Sequence, residues 1–246
     1  MKKELPDPGV TELVIAGWTG RDEAALKKHI RELEELGVKP PKTTPIFYRV
    51  AASLLTFSDQ IQVSGPDTSG EVEFVLLQKE AGLFVTVGSD HTDRKAETIS
   101  VSLSKQLCAK PIARESWRYD EVKPHWEKLV LRSWIFENKT QTLYQEGAVS
   151  AMRSPEDLMQ RYGGLNSGYA MFGGTFAAKG GIRPAARFIM ELEDPVRKRK
   201  LTHEYAIKVL PVEGRTPSRQ SVSGRSPPPH SRRPACRRAT RASSRS

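Results

Sequence analysis

Three carboxylates, Glu71, Glu73 and Asp90, lie on a stretch of sequence patterned as a β-hairpin. If residues 71–77 form a strand, Glu71 and Glu73 project from the same side, because side chains alternate along a strand. Two like charges at the end of an apolar strand are unfavourable unless water or a cation neutralises them. A partner strand over residues 83–87 would bring Asp90 beside the pair. Three carboxylates favour a hard cation, Mg²⁺ or Mn²⁺, and the alternative is an exposed strand edge.

A zinc site is the competing interpretation of the polar residues in this region. His91, Cys108 and His125 are the residues that could form one. They lack a close paired spacing such as C-x-x-C or H-x-x-x-H, so the sequence favours the carboxylate site. Only two cysteines occur, Cys108 and Cys236, and their separation argues against a disulfide framework.

A histidine–glutamate pair lies on the first predicted helix, residues 21–36, which stops at Gly37. Its apolar face is formed by residues at spacings of three and four, Leu26, Ile30, Leu33 and Leu36. His29 and Glu32 are three apart and therefore neighbours on the helix surface. The pair could be a general base aligned by a carboxylate, or only an ion pair at the margin of the core.

A glycine-rich stretch covers residues 163–181 and contains seven glycines. It matches neither the P-loop pattern nor G-x-G-x-x-G, so a nucleotide loop is not predicted. We interpret it as a loop in which the backbone amide of Gly174 and the hydroxyl of Thr175 could receive a carboxylate. A simple turn is the alternative.

The remaining patterns predict an α+β fold with few helices. Residues 11–16 read as a short apolar strand, and Ser154 followed by Pro155 marks a helix start. Two alternating strands follow late in the chain. One face of the first strand carries Phe188, Met190 and Leu192, and one face of the second carries Tyr205, Ile207 and Val209. Strands outnumber helices and do not alternate with them regularly, which excludes a doubly wound sheet.

The basic character of the chain comes from its last residues. Residues 212–246 hold nine of the 39 Lys and Arg residues but only one of the 29 acidic ones. We expect this segment to be a disordered Arg/Ser/Pro-rich tail, because it has few large apolar groups. It has no aromatics for base stacking, so a nucleic-acid partner is not expected despite the charge. An alternative is that the tail is GC-rich coding sequence read in a shifted frame.

Taken in order, these motifs resemble those of the fumarylacetoacetate hydrolase family. His29-Ile30-Arg31-Glu32 with Pro45-Ile46-Phe47 resembles its H-x-x-E and P-x-x-F segments, and Glu71-Val72-Glu73 its E-x-E metal strand. The segment from Ser89 to Arg94 is similar to N-D-x-[ST]-x-R, and Gly173-Gly174-Thr175 to the T-G-T-P loop. Ser104-Lys105-Gln106 resembles the lysine segment that faces the substrate. The best agreement is with a related bacterial domain family of unknown function.

The resemblance implies a mixed β-sandwich or roll and a homodimer that binds Mg²⁺ or Mn²⁺ and a small 2-oxo acid. It covers residues 10–211 as a catalytic domain, after an N-terminal extension at 1–9 and before the tail at 212–246. By the resemblance, Glu71, Glu73 and Asp90 hold the metal, and His29, Glu32 and Lys105 are catalytic. Arg94, Gly174 and Thr175 would contact the substrate.

The expected activity is hydrolysis of a C–C bond in an acylpyruvate or β-diketo acid. A decarboxylase, hydratase or tautomerase with the same metal site is one alternative. A non-catalytic binding module on the same fold is another. The chain has no apolar run of about 18 residues and no apolar N-terminal signal, so we expect a cytoplasmic protein without a membrane partner.

Overall fold

The computed structural model describes residues 9–24, 43–137 and 139–213. The predicted helix at 21–36, with His29 and Glu32, lies mostly outside these residues, as does the tail beyond Glu213. None of the helices in the described part of the chain is long and apolar enough to cross a membrane.

The described residues form fifteen strands. Those of the first half are β1 Glu12–Gly17, β2 Ile46–Val50, β3 Leu55–Thr56, β4 Gln60–Ser64, β5 Thr68–Ser69, β6 Val72–Lys79, β7 Gly82–Ser89 and β8 Thr92–Asp93. Those of the second half are β9 Lys110–Pro111, β10 Trp117–Arg118, β11 Val130–Glu137, β12 Thr140–Ala148, β13 Tyr169–Phe172, β14 Arg187–Asp194 and β15 Arg199–Leu210.

The α-helices are short and few. Within the described residues they are α1 Arg94–Glu97, α2 Val101–Gln106, α3 Tyr119–Val122 and α4 Pro155–Tyr162. Three 3₁₀ segments accompany them, Ala52–Leu54, Lys123–Lys128 and Val149–Ala151. The predicted start of α4 is confirmed, because the Ser154 side chain accepts a hydrogen bond from the Asp157 amide and Pro155 is the first helical residue.

Two large sheets pack face to face, in agreement with the mixed β-sandwich with few helices that the resemblance implied. The six-stranded sheet has the order β10-β7-β6-β13-β1-β2, and the five-stranded sheet the order β12-β11-β14-β15-β4. Strands β6 and β7 contact β11, β14 and β15 across the interface. The main core lies between them and contains Phe74, Val87, Leu131, Met190 and Tyr205.

Strand β6 is buried on both faces and carries the motif of interest. Its even-numbered residues, such as Phe74, belong to the core between the sheets. Its odd-numbered neighbours Val75 and Leu77 belong to a second apolar cluster on the other face of the sheet, with Ile15 and Phe172. The side-chain alternation of a strand therefore directs Glu73 to the second face, at the end of an apolar row.

The predicted hairpin is confirmed, with longer strands than expected. Strands β6 and β7 pair from Val72 with Ser89 to Lys79 with Gly82. The connection is the two residues Glu80 and Ala81, whereas the sequence suggested a five-residue connection over 78–82. Gly82 has a φ of 116°, a conformation that favours glycine and allows the tight turn.

Two expectations about the second half need correction. The glycine-rich stretch is not one loop, because β13 lies inside it between β1 and β6 of the larger sheet. Of the predicted face of β15, Tyr205 is buried but Val209 is 49% exposed. The reason is that β15 extends beyond β14, so that Lys208 to Leu210 pair only with β4.

Candidate metal centre and its cavity

Glu71, Glu73 and Asp90 converge as the sequence predicts. Each offers a carboxylate oxygen, and these three oxygens lie within 4.8 Å of one another. Glu73 and Asp90 are buried, with 2% and 0% of their surface exposed, and Glu71 is partly buried. Among the described residues this is the group of acids, histidines and cysteines whose spacing fits a metal ion.

The β6–β7 ladder brings these carboxylates together. Glu73 is paired with Gly88, and one further hydrogen bond beyond the end of β7 runs from the Asp90 amide to the Glu71 carbonyl at 3.0 Å. Because alternation also directs Asp90 to the face that Glu71 and Glu73 occupy, the three side chains share one side of the sheet end.

Glu73 is held by the glycine-rich loop. The backbone amide of Gly174 donates a hydrogen bond of 2.6 Å to Glu73 Oε2. Burial, with the nearby Asp90 and Glu71 carboxylates, raises the pKa of Glu73 well above its usual value. Gly174 has a φ of 103°, and a Cβ there would lie 1.8 Å from Thr19 Oγ1, so only glycine fits this approach.

Asp90 is paired with two buried lysines. Lys105 Nζ donates a hydrogen bond to Asp90 Oδ2, and Lys110 Nζ lies 3.2 Å from Oδ1. Burial alone would raise the pKa of Asp90, but the ammonium groups of Lys105 and Lys110 hold it below its usual value. The carboxylates of Asp90 and Glu71 in turn raise the pKa of Lys105, although burial opposes this.

One oxygen of Asp90 has no hydrogen-bond donor. Lys110 donates instead to the backbone carbonyls of His91, Lys105 and Cys108, which accept all three of its protons. Asp90 Oδ1 is consequently a buried carboxylate oxygen without a hydrogen bond. The Lys110 ammonium, 3.2 Å away, nevertheless neutralises its charge.

Arg94 is fixed by its neighbours at the edge of the cluster. Its Nε donates to Ser69 Oγ at 2.7 Å and its Nη1 to Glu97 Oε2 at 2.9 Å. Its Nη2 lies 3.0 Å from Glu71 Oε1, in an ion pair without hydrogen-bond geometry. The guanidinium therefore orients Glu71, whose other oxygen is 3.9 Å from Lys105 Nζ.

Gln145 of β12 connects the glycine-rich loop to the sheets. Its Oε1 accepts from the Val72 amide and Ser133 Oγ, both at 3.0 Å. Its Nε2 donates to Thr175 Oγ1 at 2.8 Å and to the Phe176 carbonyl at 2.6 Å. The buried amide thus makes four hydrogen bonds, its full capacity. Thr175 Oγ1 donates its own proton to the Val72 carbonyl at 2.7 Å.

His91 belongs to a hydrogen-bonded chain beside the cluster. Its Nδ1 lies 2.9 Å from the Tyr205 hydroxyl and its Nε2 lies 2.9 Å from Thr68 Oγ1. The Tyr205 hydroxyl also bonds Ser89 Oγ, which accepts from the Glu71 amide at 3.2 Å. Burial lowers the pKa of His91 to about 3, so the ring is neutral.

The zinc alternative finds no support in the described residues. Both nitrogens of His91 are engaged in hydrogen bonds. Burial raises the pKa of the Cys108 thiol to about 11, which disfavours the thiolate that zinc requires. His125 Nε2 lies 2.9 Å from Asp194 Oδ1, and Arg199 Nε donates a hydrogen bond to the other oxygen of that carboxylate.

The carboxylates open into a cavity of about 790 Å³. The predicted site residues that line it are Glu71, Glu73, Arg94, Lys105, Gly174 and Thr175. Asp90 lies beneath them with no exposed surface. His29 and Glu32 lie outside the described residues, so their predicted roles remain predictions. Lys110 and Gln145 were not predicted as site residues, because no motif spacing indicates them, and Tyr205 was predicted only as part of a strand face.

The residues of the cluster suit a divalent cation. Oxygens on opposite sides of a hard cation are separated by about 4–5 Å, which the 4.8 Å limit matches. Burial and the nearby Asp90 and Glu71 carboxylates raise the pKa of Glu73. A positive ion bound by Glu71, Glu73 and Asp90 would offset that repulsion.

Residues 16–205 match the family model described as "Protein of unknown function (DUF2848)". This is the kind of family that the sequence resemblance indicated, and the match covers most of the body of the chain. A search of the curated proteins gave no match.

Several solved structures share the fold at low sequence identity. A 2-keto-3-deoxy-D-arabinonate dehydratase complexed with magnesium and 2,5-dioxopentanoate is 15% identical, with a TM-score of 0.59, over 82% of this chain and 74% of that one. A protein from Oleispira antarctica, described as a "putative fumarylacetoacetate isomerase/hydrolase", is 17% identical, with a TM-score of 0.57, over 80% and 93%. A 4-oxalocrotonate decarboxylase from Pseudomonas putida G7, complexed with calcium and acetate, is 15% identical, with a TM-score of 0.50, over 80% and 76%. The predicted fumarylacetoacetate hydrolase-like fold is confirmed.

Proposed function

The chain belongs to the DUF2848 family of proteins of unknown function, and we propose that it is a metal-dependent hydrolase that cleaves a C–C bond in a small 2-oxo acid. One observation carries the proposal: three carboxylate oxygens, of Glu71, Glu73 and Asp90, lie within 4.8 Å of one another at a cavity large enough for such an acid. The magnesium complex of the dehydratase with the same fold supports a divalent cation, Mg²⁺ or Mn²⁺.

The proposed reaction adds water to the distal carbonyl of an acylpyruvate or β-diketo acid. The bond from that carbonyl carbon to the neighbouring CH₂ group breaks, and its electron pair passes to the 2-oxo fragment. The products are a carboxylic acid and a shorter 2-oxo acid, which gains a proton at the former CH₂ carbon. A bound cation would supply a Lewis acid for the 2-oxo group and the adjacent carboxylate.

The chain's own side chains then have separate tasks. Lys105 is buried at the cavity floor, and its ammonium can donate a hydrogen bond to negative charge that develops on the substrate. We assign the removal of a proton from water to His29, aligned by Glu32. Arg94, Gly174 and Thr175 line the cavity, which supports their assignment to substrate contact. Thr175 would have to release the Val72 carbonyl to donate to a substrate.

A second reaction class uses the same groups. A dehydratase and a decarboxylase share the fold, and both act without adding water across a C–C bond. A decarboxylase, hydratase or tautomerase acting on a 2-oxo acid is therefore the alternative. Release of a carboxylic acid identifies the hydrolase, whereas release of CO₂ or formation of an isomer identifies the alternative.

We also propose the domain bounds, the oligomeric state and the location of the protein in the cell. Residues 10–211 would form the catalytic domain, after an extension at 1–9 and before a tail at 212–246. We propose a homodimer in the cytoplasm, which light scattering of the purified chain and fractionation of cells would test.

A substrate screen tests the proposed function. Acylpyruvates and oxaloacetate are incubated with the full chain and Mg²⁺, with Mn²⁺, and with a chelator. Turnover that requires the metal is expected, and Glu73→Ala should lose turnover and metal binding together. A fully active, metal-free Glu73→Ala protein would contradict the proposal.

A further inference from the structure

The cavity is lined by charged side chains at the carboxylate cluster and by apolar and aromatic side chains from the surrounding loops and strands. Its charged floor is the carboxylate cluster with Arg94 and Lys105. Above the floor, loop residues 174–182 and β12 form one wall, and residues 16–20 with Tyr48 and Val101 contribute to the rest of the lining. The large apolar or aromatic groups of this lining are Trp18, Tyr48, Val101, Tyr144, Phe176 and Ile182.

The Phe176 ring packs in this wall against a glycine of β12. A Cβ at Gly147 of β12 would lie 2.4 Å from Phe176 Cε1, so the ring occupies the space that any other residue at position 147 would fill. The Phe176 carbonyl accepts from Gln145, which fixes the backbone beside the ring. Lys179 continues the contact with β12, since its amide donates to the Tyr144 carbonyl at 2.7 Å.

The cations of this wall are already paired with acids, and the Arg183 guanidinium lies over the Tyr144 ring, 5.1 Å from its centroid. Arg183 Nε pairs with Glu137 at 2.6 Å, and Lys179 Nζ lies 3.4 Å from Glu146. Neither of these two side chains lines the cavity. Among the described lining residues, the side chains with a full positive charge are Arg94 and Lys105, and both lie at the floor.

The two floor cations are already engaged. Arg94 is bound by Ser69, Glu97 and Glu71, and Lys105 bonds Asp90. Glu97 also lines the cavity and adds a negative charge. Among the described lining residues, a second carboxylate on a substrate would therefore find no free cation, and burying it without one is costly.

We propose that the cavity selects a 2-oxo acid with a single carboxylate and an apolar, aromatic-sized group at its far end, in preference to a dicarboxylate. This inference rests on the proposed function, since the carboxylate and oxo group would lie at the metal cluster. The far group would then pack on Phe176, Tyr144 and Ile182. Ile182 is a specificity-determining residue, because it lines the cavity and is 58% exposed at its mouth.

Binding measurements on the full-length chain in Mn²⁺ test this inference. Phenylpyruvate and 2-oxoglutarate are titrated in turn by calorimetry, because they share the 2-oxo acid group and differ at the far end. Phenylpyruvate should bind about tenfold or more tightly than 2-oxoglutarate, since the second carboxylate finds no partner. Tighter binding of 2-oxoglutarate would overturn the inference while leaving the proposed function intact.

A matched pair of variants locates the selection. Ile182→Lys places an ammonium at the apolar end and should reduce or reverse the preference. Val196→Lys makes the same change at a 50% exposed position in the turn between β14 and β15, and should leave the preference unchanged. Equal effects of both variants would overturn the role of Ile182. If neither ligand binds the Mn²⁺-loaded chain, the inference fails, and the proposed function fails with it only if metal-dependent turnover of acylpyruvates is also absent.

Discussion

The backbone amide of Gly174 donates a 2.6 Å hydrogen bond to the buried carboxylate of Glu73. The glycine-rich loop was expected to receive a carboxylate from a substrate, and its amide instead holds a carboxylate of the protein. The bond joins the loop that lines the cavity to the strand that carries two of the three candidate ligands. Changes in the loop should therefore reach the metal centre.

Gly174→Ala tests this connection. The new Cβ would meet Thr19 Oγ1 at 1.8 Å, so the loop must shift and release Glu73. We expect Mn²⁺ affinity measured by calorimetry to fall about tenfold or more, the loss of one charge-assisted hydrogen bond. Gly164→Ala is the control, because Gly164 has a similar φ of 97° with nothing within 4 Å of a Cβ. Equal affinities for both variants would contradict the connection.

Gln145 should be a structural support of the same loop. Gln145→Leu leaves the buried Val72 amide without its acceptor and frees Thr175 and Phe176, which should cost about 2–4 kcal/mol in unfolding free energy. Urea denaturation measures this cost. Gln141→Leu, at an exposed position of the same strand, should change stability by less than about 0.5 kcal/mol. A Gln145→Leu protein as stable as the Gln141 variant would show that the four hydrogen bonds contribute little.

The buried His91 predicts a pH dependence of stability. Its pKa is lowered from 6.5 to about 3 in the folded protein, so the unfolded chain takes up a proton between these values that the folded chain does not. Stability is fully present above pH 6.5 and is lost as the pH falls, by about 1.4 kcal/mol per pH unit from this residue.

The comparison of wild type with His91→Gln isolates that contribution. Between pH 6.5 and pH 5, wild type should lose about 2 kcal/mol more unfolding free energy than the variant, which cannot take up this proton. Urea denaturation at the two pH values gives both slopes. Parallel slopes for the two proteins would mean that His91 does not stay neutral when folded.

The sequence predicted the positions of the three carboxylates, which follow from spacing along one hairpin, but not those of residues that reach the cluster from elsewhere in the chain. The E-x-E alternation and the strand pairing placed Glu71, Glu73 and Asp90 correctly, because one ladder controls all three. Lys110 and Gln145 were missed, since their contacts come from strands far away in sequence. Strand β13 was missed because the flanking glycines obscured a four-residue apolar strand between two others.

Removal of residues 214–246 should leave the fold and the candidate metal site intact. A chain that ends at Glu213 keeps all of β15 and Val212, which packs at Gly65. We expect its melting temperature and Mn²⁺ affinity to equal those of the full chain. Loss of folding or metal binding would show that residues 214–246 are functional. A strongly salt-dependent affinity for DNA or RNA that disappears on truncation would support the nucleic-acid alternative.

The metal centre itself is tested most directly by Mn²⁺ titration of Glu73→Gln and Glu80→Gln. Both variants make the same change on one hairpin, at the cluster and at the exposed turn. Glutamine resembles the protonated form of Glu73 that burial favours, so the fold should be kept, as circular dichroism can check. The account predicts one Mn²⁺ per chain for wild type and Glu80→Gln, with affinity lowered about 100-fold or more by Glu73→Gln. Wild-type affinity in a folded Glu73→Gln protein, or no binding by wild type, would contradict it.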